Sequence, residues 1–505
     1  MKAIYIPTRP ILTPQEKDRL KSAVDALKTL SGAFMPENQN PQALVDQMLD
    51  LRPCVADAIG VILEALALGV EPEVLAACLA RYSRSNEGIA SILERFSDKN
   101  PDAIFQFVDY GHASIGGLTG GIAIAIDGVS MLLAYKLFEF AQMADGQESS
   151  TRYIELNESG LPCPSQIGIP EQLHSLWNTT CLEGFRLYKF AYDALNQQVE
   201  RNPECARIPE QAKPKARDRM LKNYALDRAR YFLPLACKTN LAIVATARIW
   251  ADTIRLLESL QWPEAIEAAE LIRTQLNRVA PNLVRHSFAD NASIGFVQEL
   301  QHAGQRHAAC GIGYGVFRDH CDCRVEVFDP SLAFNKVDFS TEKALGTRVS
   351  RYSHTGTMFK RQTVQAEWSA IAVAELRDLN RHRTGFRFSD FAPAGFYIPT
   401  ETKEMLFVNS DRDETSAFRA SYESLVRSLA RTGQPGLHSY GYFLGTQVAF
   451  EHTQQADKFL YEVELRTGLG AHFRYAEHLR QAAELYFEKH PDVRRYVPLG
   501  NAEPE

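Results

Sequence analysis

The chain has 505 residues, 45% of them apolar and 23% charged, the profile of a globular protein of two or three domains. A formal charge of −7 excludes a generally basic nucleic-acid-binding surface, though not a local basic pocket. Nine cysteines without the close spacing of a disulfide-stapled domain point to reduced thiols in a cytoplasmic setting.

In chain order, KAIYIP reads as a first strand and lacks the apolar run of a secretion signal. Apolar periodicity predicts helices over 56–70 and 121–141. Glu64 interrupts the first and Asp127 the second, so no membrane span is expected. Next, GQESSTRY places Ser150 and Arg152 two residues apart in a loop, where a hydroxyl and a guanidinium can converge on one anion. A Pro/Gly-rich loop follows at 159–170, then predicted helices at 173–200, 239–260 and 264–278.

Residues 291–318 read as a connector. Overlapping it, HAGQRHAACGIGYGVFRDHCDC (302–323) concentrates His302, His307, His320, Cys310, Cys321 and Cys323. Imidazole and thiolate suit zinc, but no Cys-x2-Cys pair is present. The favoured reading is a linker with incidental thiols and no metal. RVEVFD reads as a strand. An amphipathic stretch, 366–380, is read as a helix running into Arg381-His382-Arg383. Cations at a helix C-terminus complement its dipole, and three together also make an anion clamp. A loop near 391–398 and helices at 415–431 and 474–488 complete the chain, with a tail at 491–505.

The chain also repeats itself. YGHASIGGLTGGIAIAIDGVSMLLAYKLFEFA (110–141) aligns without a gap on YSHTGTMFKRQTVQAEWSAIAVAELRDLNRHR (352–383), 242 residues later. His112 falls on His354, and Glu139-Phe140-Ala141 falls on Arg381-His382-Arg383. LARYSR (79–84) pairs with GTRVSR (346–351), and RYFLP (230–234) with GYFLG (441–445). The predicted organisation is a first repeat over 1–290, the connector, and a shorter second repeat over 319–490.

RHRTG after an amphipathic stretch, with His354 placed 27 residues before Arg381, resembles the flavin-dependent thymidylate synthases. The family pattern is an Arg-His-Arg block, a loop and Ser-x-Arg-Tyr, then Ala-Arg-x-x-Leu-Pro and a helix ending in Leu-Arg. This chain divides those parts. The second half has Arg381-His382-Arg383 and Leu465-Arg466; the first has Ser150-Thr151-Arg152-Tyr153 and Ala229-Arg230…Leu233-Pro234. The first half carries Leu257 as the nearest match to Arg466, and the second carries Gly441 opposite Arg230. The losses are complementary.

The resemblance implies an α+β fold of two tandem thymidylate synthase-like domains, each a small sheet packed with long helices, with composite sites between them. It implies FAD held by Arg381, His382 and Arg383, with His112, His354 and Glu367 near the flavin and Gln365 beside Glu367. It assigns Ser150, Arg152, Arg230 and Arg466 to a uracil nucleotide, with Arg466 and Arg152 as the catalytic pair. It implies NADPH and methylenetetrahydrofolate as co-substrates, C5 methylation of dUMP or a related pyrimidine nucleotide, and a homodimer acting as a pseudo-tetramer. No nucleic acid or membrane partner is expected. No GxGxxG, P-loop or HExxH occurs, and no cysteine sits in a nucleophile setting. The alternative is a catalytically degenerate nucleotide-binding or scaffold protein of the same fold.

Overall fold

In TVQAEWSAIA, Val364, Ala366 and Trp368 are buried and their neighbours half-exposed, a period of two rather than 3.6. This run is therefore a strand, Thr363–Ala372, and the expected helix over 366–380 is only its continuation, Val373–Leu379. The same correction applies twice more. Residues 121–141 form strand Ile122–Ser130 and helix Met131–Phe140; residues 239–260 form strand Lys238–Ala245 and helix Ala247–Ser259. β-branched Ile, Val and Thr drive the strands. Hydroxyl caps start the two first-half helices: Ser130 accepts from Leu133 N–H and Thr246 from Ile249 N–H.

The computed structural model describes residues 1–6, 72–96, 121–152, 154, 156–208, 210, 212–277, 287–311, 313–330, 340–382, 384–408, 415–468 and 471–500, with a few isolated positions between 14 and 25. The expected helix at 56–70, His112, Tyr153, Arg383 and the last residues of the tail lie outside these. The strands are β1 (Lys2–Ile6), β2 (Ile122–Ser130), β3 (Asp145–Glu148), β4 (Lys238–Ala245), β5 (Cys323–Phe328), β6 (Thr363–Ala372), β7 (Phe386–Phe388), β8 (Pro393–Phe396) and β9 (Thr446–Gln455). The longer helices are α1 (Pro72–Tyr82), α2 (Ile89–Phe96), α3 (Met131–Phe140), α4 (His174–Arg201), α5 (Pro214–Ala229), α6 (Ala247–Ser259), α7 (Pro263–Asn277), α8 (Asn291–Cys310), α9 (Val373–Leu379), α10 (Thr400–Val408), α11 (Ser416–Ala430), α12 (Ala456–Arg466) and α13 (Phe473–Lys489).

Both halves build one plan. The first sheet runs β1-β2-β4-β3 and the second β5-β6-β9-β7, all antiparallel, with β8 also on β9. Each central strand carries an irregularity, at Asp127/Val129 and at Trp368/Ile371. Ile122 faces Ala245 in one sheet and Val364 faces Gln454 in the other, so the halves correspond at offsets of 242 (364 less 122) and 209 (454 less 245). The fold is thus α+β, two small sheets each packed with helices.

The halves meet through matching segments. Leu444 N–H donates to Leu233 C=O at 2.9 Å, Leu235 N–H to Tyr442 C=O at 2.8 Å, and Pro234 bridges Phe443. The offset of 209 carries through this segment: Leu233 N–H to Arg230 C=O and Cys237 N–H to Pro234 C=O are matched by Tyr442 N–H to Ser439 C=O and Thr446 N–H to Phe443 C=O. The pairing of RYFLP with GYFLG read from the sequence is therefore two residues out of register, and Pro234 lies against its own counterpart, Phe443. An approximate two-fold axis passes between these two residues. Around it Phe232, Phe396, Phe418 and Phe443 pack edge-to-face and stacked, and Trp177 donates to Tyr440 C=O at 3.0 Å. Each buried ring contributes roughly 2–3 kcal/mol of hydrophobic stabilisation.

The connector is not a loop. Most of it is α8, capped at its start by Asp290, whose carboxylate accepts from Ser293 N–H at 2.7 Å. A Cβ on Gly304 would come 2.2 Å from Asp390 C=O, so the helix lies directly on the second half. His302 and His307 ride on it, Cys310 ends it, and exposed His320 bonds Asp322 at 2.9 Å. Among the described residues no group of three or more His, Cys, Asp or Glu is placed to hold a metal. Nor is any described helix long and apolar enough to cross a membrane.

Candidate functional site

Helix α9 grows out of β6 and is buried along its whole length, charged residues included: Glu375, Arg377 and Asp378. It sits at the junction of the halves, where Asn380 Nδ2 donates to Tyr135 C=O at 3.1 Å. Buried charges demand partners, and here the partners come from the other half. Arg377 pairs with Glu148 at the end of β3. Arg381 reaches the same carboxylate at 3.7 Å and Asp378 at 4.0 Å. Arg230 donates to Asp378 Oδ2 from both terminal nitrogens, at 3.3 and 3.4 Å, and to Thr151 Oγ1 at 3.4 Å. Arg152 forms a two-pronged pair with Asp227 at 2.7 Å on each arm.

Asp378 is the centre of this arrangement. Burial pushes its pKa up, but the Arg230, Arg381, Arg152 and Arg466 guanidiniums outweigh that and hold the carboxyl below its usual range. Two of those arginines come from each half. Glu375 goes the other way. Burial dominates and lifts its pKa to about 7, despite Arg230 at 3.7 Å and a 2.7 Å hydrogen bond from the Tyr231 hydroxyl.

Arg466 ends α12 and donates its Nε–H to His382 Nε2 at 2.5 Å. Among the described residues it has no carboxylate within salt-bridge reach, and its guanidinium lies 5.6 Å from the centre of the Tyr475 ring. Behind His382, Glu462 is fully buried. Burial raises its pKa, but the His382 and His452 rings and the Gln454 amide prevail and bring it to about 2. Five guanidiniums (Arg152, Arg230, Arg377, Arg381, Arg466) and the His382 ring therefore face five carboxylates (Glu148, Asp227, Glu375, Asp378, Glu462), with burial favouring the neutral form of Glu375. Arg381 and Arg466 are the least tightly paired of the cations, which suits an anion or a developing negative charge.

Ser150 lies on the first-half side. Its N–H donates to Ser83 C=O at 2.9 Å and its hydroxyl accepts from Arg152 N–H at 3.3 Å. LARYSR thus packs beneath the SSTRY loop. Ser149, Ser150 and Thr151 line a polar cleft of about 270 Å³ with Asn157, Lys238 and Asn240. Thr151 joins this cleft to Arg230.

Of the residues singled out in the sequence, Arg152, Arg230, Arg381, His382 and Arg466 come together, with Ser150 adjoining. His354 is exposed on the turn before residues 357–361. Glu367 lies on β6, which runs into α9. It accepts from Gln365 Nε2 at 2.7 Å and stands opposite Arg324 and Glu451 in the sheet. Sequence reading missed Asp378, Glu375, Glu148, Asp227 and Tyr231. A clue was present for two of them: Asp378 precedes Arg381 by one helical turn, and Glu148 sits within GQESSTRY.

Residues 66–282 match the thymidylate synthase complementing protein family. The chain is 25% identical over 233 residues to a flavin-dependent thymidylate synthase of Clostridium tetani, covering 45% of this chain and 87% of that one. It is 27% identical over 272 residues to a UPF0159 protein of Chlamydia muridarum and 26% over 249 residues to one of Chlamydia pneumoniae. It spans about half the length of those two chlamydial proteins, 50% and 46%.

Proposed function

Because residues 66–282 belong to the thymidylate synthase complementing protein family, we propose that this protein is a thymidylate synthase-like flavoenzyme whose working site is shared by its two halves. The observation that carries the reading is that Arg230 and Arg381, one from each half, meet on Asp378, with Arg152 on Asp227 beside Arg230 and Arg466 on His382 beside Arg381. No single half supplies that set.

FAD fits the second-half edge of the cluster. Arg381 is 25% exposed, and its carboxylate contacts at 3.7 and 4.0 Å are loose. It can turn to a pyrophosphate without breaking a tight pair. His382, beside it, adds a donor or a stacking face. When bound, FAD supplies the redox chemistry of the methylation.

The remaining residues act on the nucleotide. Asp227 fixes the Arg152 guanidinium in one orientation, while the Arg152 backbone N–H donates to the Ser150 hydroxyl. Arg466, with its terminal nitrogens uncommitted to carboxylates among the described residues, is the group suited to negative charge developing on a pyrimidine carbonyl. Arg230 is committed to Asp378 and Thr151 and links the two sets. The substrate proposed is dUMP or a related pyrimidine nucleotide, with methylenetetrahydrofolate and NADPH as co-substrates. Two chains would pair as a pseudo-tetramer, which sedimentation velocity checks directly. Tritium release from 5-labelled dUMP, dependent on FAD, NADPH and methylenetetrahydrofolate, is the expected activity. A colourless protein that takes up no added FAD and binds no dUMP would replace this reading with the scaffold.

A further inference from the structure

A second cleft, of about 260 Å³, occupies the position related to the arginine cluster by the approximate two-fold axis. Its walls come from α3, α6, α8, the segment after β7, and residues 436–439. The same offsets identify each counterpart. Glu139 stands for Arg381 and Lys136 for Asp378, so the charges along this helix are exchanged. At the offset of 209 Leu257 stands for Arg466 and Ser439 for Arg230, rather than the Gly441 aligned from the sequence. Asp145 faces Val244 as Phe386 faces Thr453, an offset of 241 (386 less 145), which puts Phe391 in the place of Ser150 and Pro393 in that of Arg152.

The cations that remain are spoken for. Lys136 pairs with Glu139 at 2.7 Å and lies 4.8 Å from the centre of the Phe391 ring. Arg387 donates to Asn380 C=O and to Phe138 C=O. Three acids, Glu139, Asp252 and Asp390, share the lining with those two bases, so a phosphate would be repelled. The rest of the surface is aromatic and apolar, with Phe140, Trp262, Phe296, Phe386 and Phe388 as its largest pieces. Two buried side chains in the wall carry polar atoms with no hydrogen-bond partner among the described residues. Gln301 is 7% exposed and neither its amide oxygen nor its nitrogen is hydrogen-bonded; His438 is 1% exposed and its Nδ1 is unbonded. An unpaired buried polar group costs about 1–3 kcal/mol, which a suitable ligand recovers.

We propose that this cleft, once the twin of the arginine site, binds an uncharged planar heteroaromatic molecule carrying a lactam edge. The aromatic side chains take the ring faces. The Gln301 amide, a donor beside an acceptor, turns to meet the N–H and C=O of the lactam.

Quinazolin-4-one, a neutral bicyclic lactam, is the probe, titrated by calorimetry into the full chain, with naphthalene as the control lacking the lactam. The expected result is one quinazolinone site per chain that dUMP does not displace. Gln301→Leu weakens quinazolinone about tenfold and leaves naphthalene binding unchanged. It also removes an unsatisfied amide, so the fold is retained. Phe296→Ala, at a rim residue 59% exposed, weakens both probes without unfolding the chain. No binding of quinazolinone at about 1 mM, displacement by dUMP, or a Gln301→Leu variant that binds it as tightly as the parent overturns the proposal.

Discussion

At the scale of single residues the site depends on which charges burial permits. Glu375 has a folded pKa raised to about 7 from 4.5. Its protonated form is the one the folded chain accommodates, so this contribution is fully present below pH 4.5 and is lost as pH rises through 7. Across that window the loss is about 3 kcal/mol. Glu375→Gln keeps the acceptor for Tyr231 and abolishes the loss; denaturant midpoints of the two proteins should diverge between pH 5 and 7.5 in favour of the variant. Equal slopes would mean Glu375 ionises freely. Arg466 gives the second prediction. Arg466→Ala should lower kcat/KM for dUMP by about a hundredfold, roughly 3 kcal/mol, with unchanged far-UV circular dichroism. Arg381→Ala should instead strip the flavin absorbance. Should Arg466→Ala lose colour and Arg381→Ala keep it, the two roles are reversed.

At the scale of elements, the loop after Arg381 is held by backbone shape. Gly385 has φ of +81°, and a Cβ there would lie 2.1 Å from Thr453 C=O and 2.7 Å from Gln454 Cβ. β7 can lie on β9 only because that atom is missing. Gly385→Ala should cost about 2 kcal/mol and loosen flavin binding together, since the loop carries His382 and Arg381. Flavin affinity unchanged in a destabilised variant would separate the loop from the cofactor site. Strand–helix pairs are the element that sequence periodicity misjudged. IAIAIDGVS and TVQAEWSAIA are apolar enough to mimic helical stripes, yet their alternation and β-branching were visible. Ser130 and Thr246, both N-caps inside the supposed helices, marked the true starts. Helix α5, PKARDRMLKNYALDRA, has no continuous apolar stripe, so nothing in periodicity announces it.

At the scale of the molecule, two halves of one plan supply one complete set of cations. The prediction is a stoichiometry: calorimetry with dUMP should find one nucleotide per chain. Two equivalent sites would mean that Glu139, Leu257, Ser439 and Pro393 do not disable the counterpart. Contact through Pro234 and Phe443 on the two-fold axis would let one half complete the other's pocket, because residues equidistant from that axis are brought face to face. The same symmetry made the second, apolar cleft recognisable.

The amino-acid sequence alone offered an internal similarity at an offset of 242, Arg152 and Arg230 in one half with Arg381 and Arg466 in the other, and a family resemblance carried by those positions. These are local facts of residue type and spacing. Only the tertiary structure decided that Arg230 and Arg381 meet on Asp378, that burial raises the Glu375 carboxyl, and that Glu367 lies on a strand. Burial and the field of a charge are properties of three-dimensional neighbourhoods, and the partners here lie as far apart in sequence as Arg230 and Asp378, 148 residues. No window along the chain contains both.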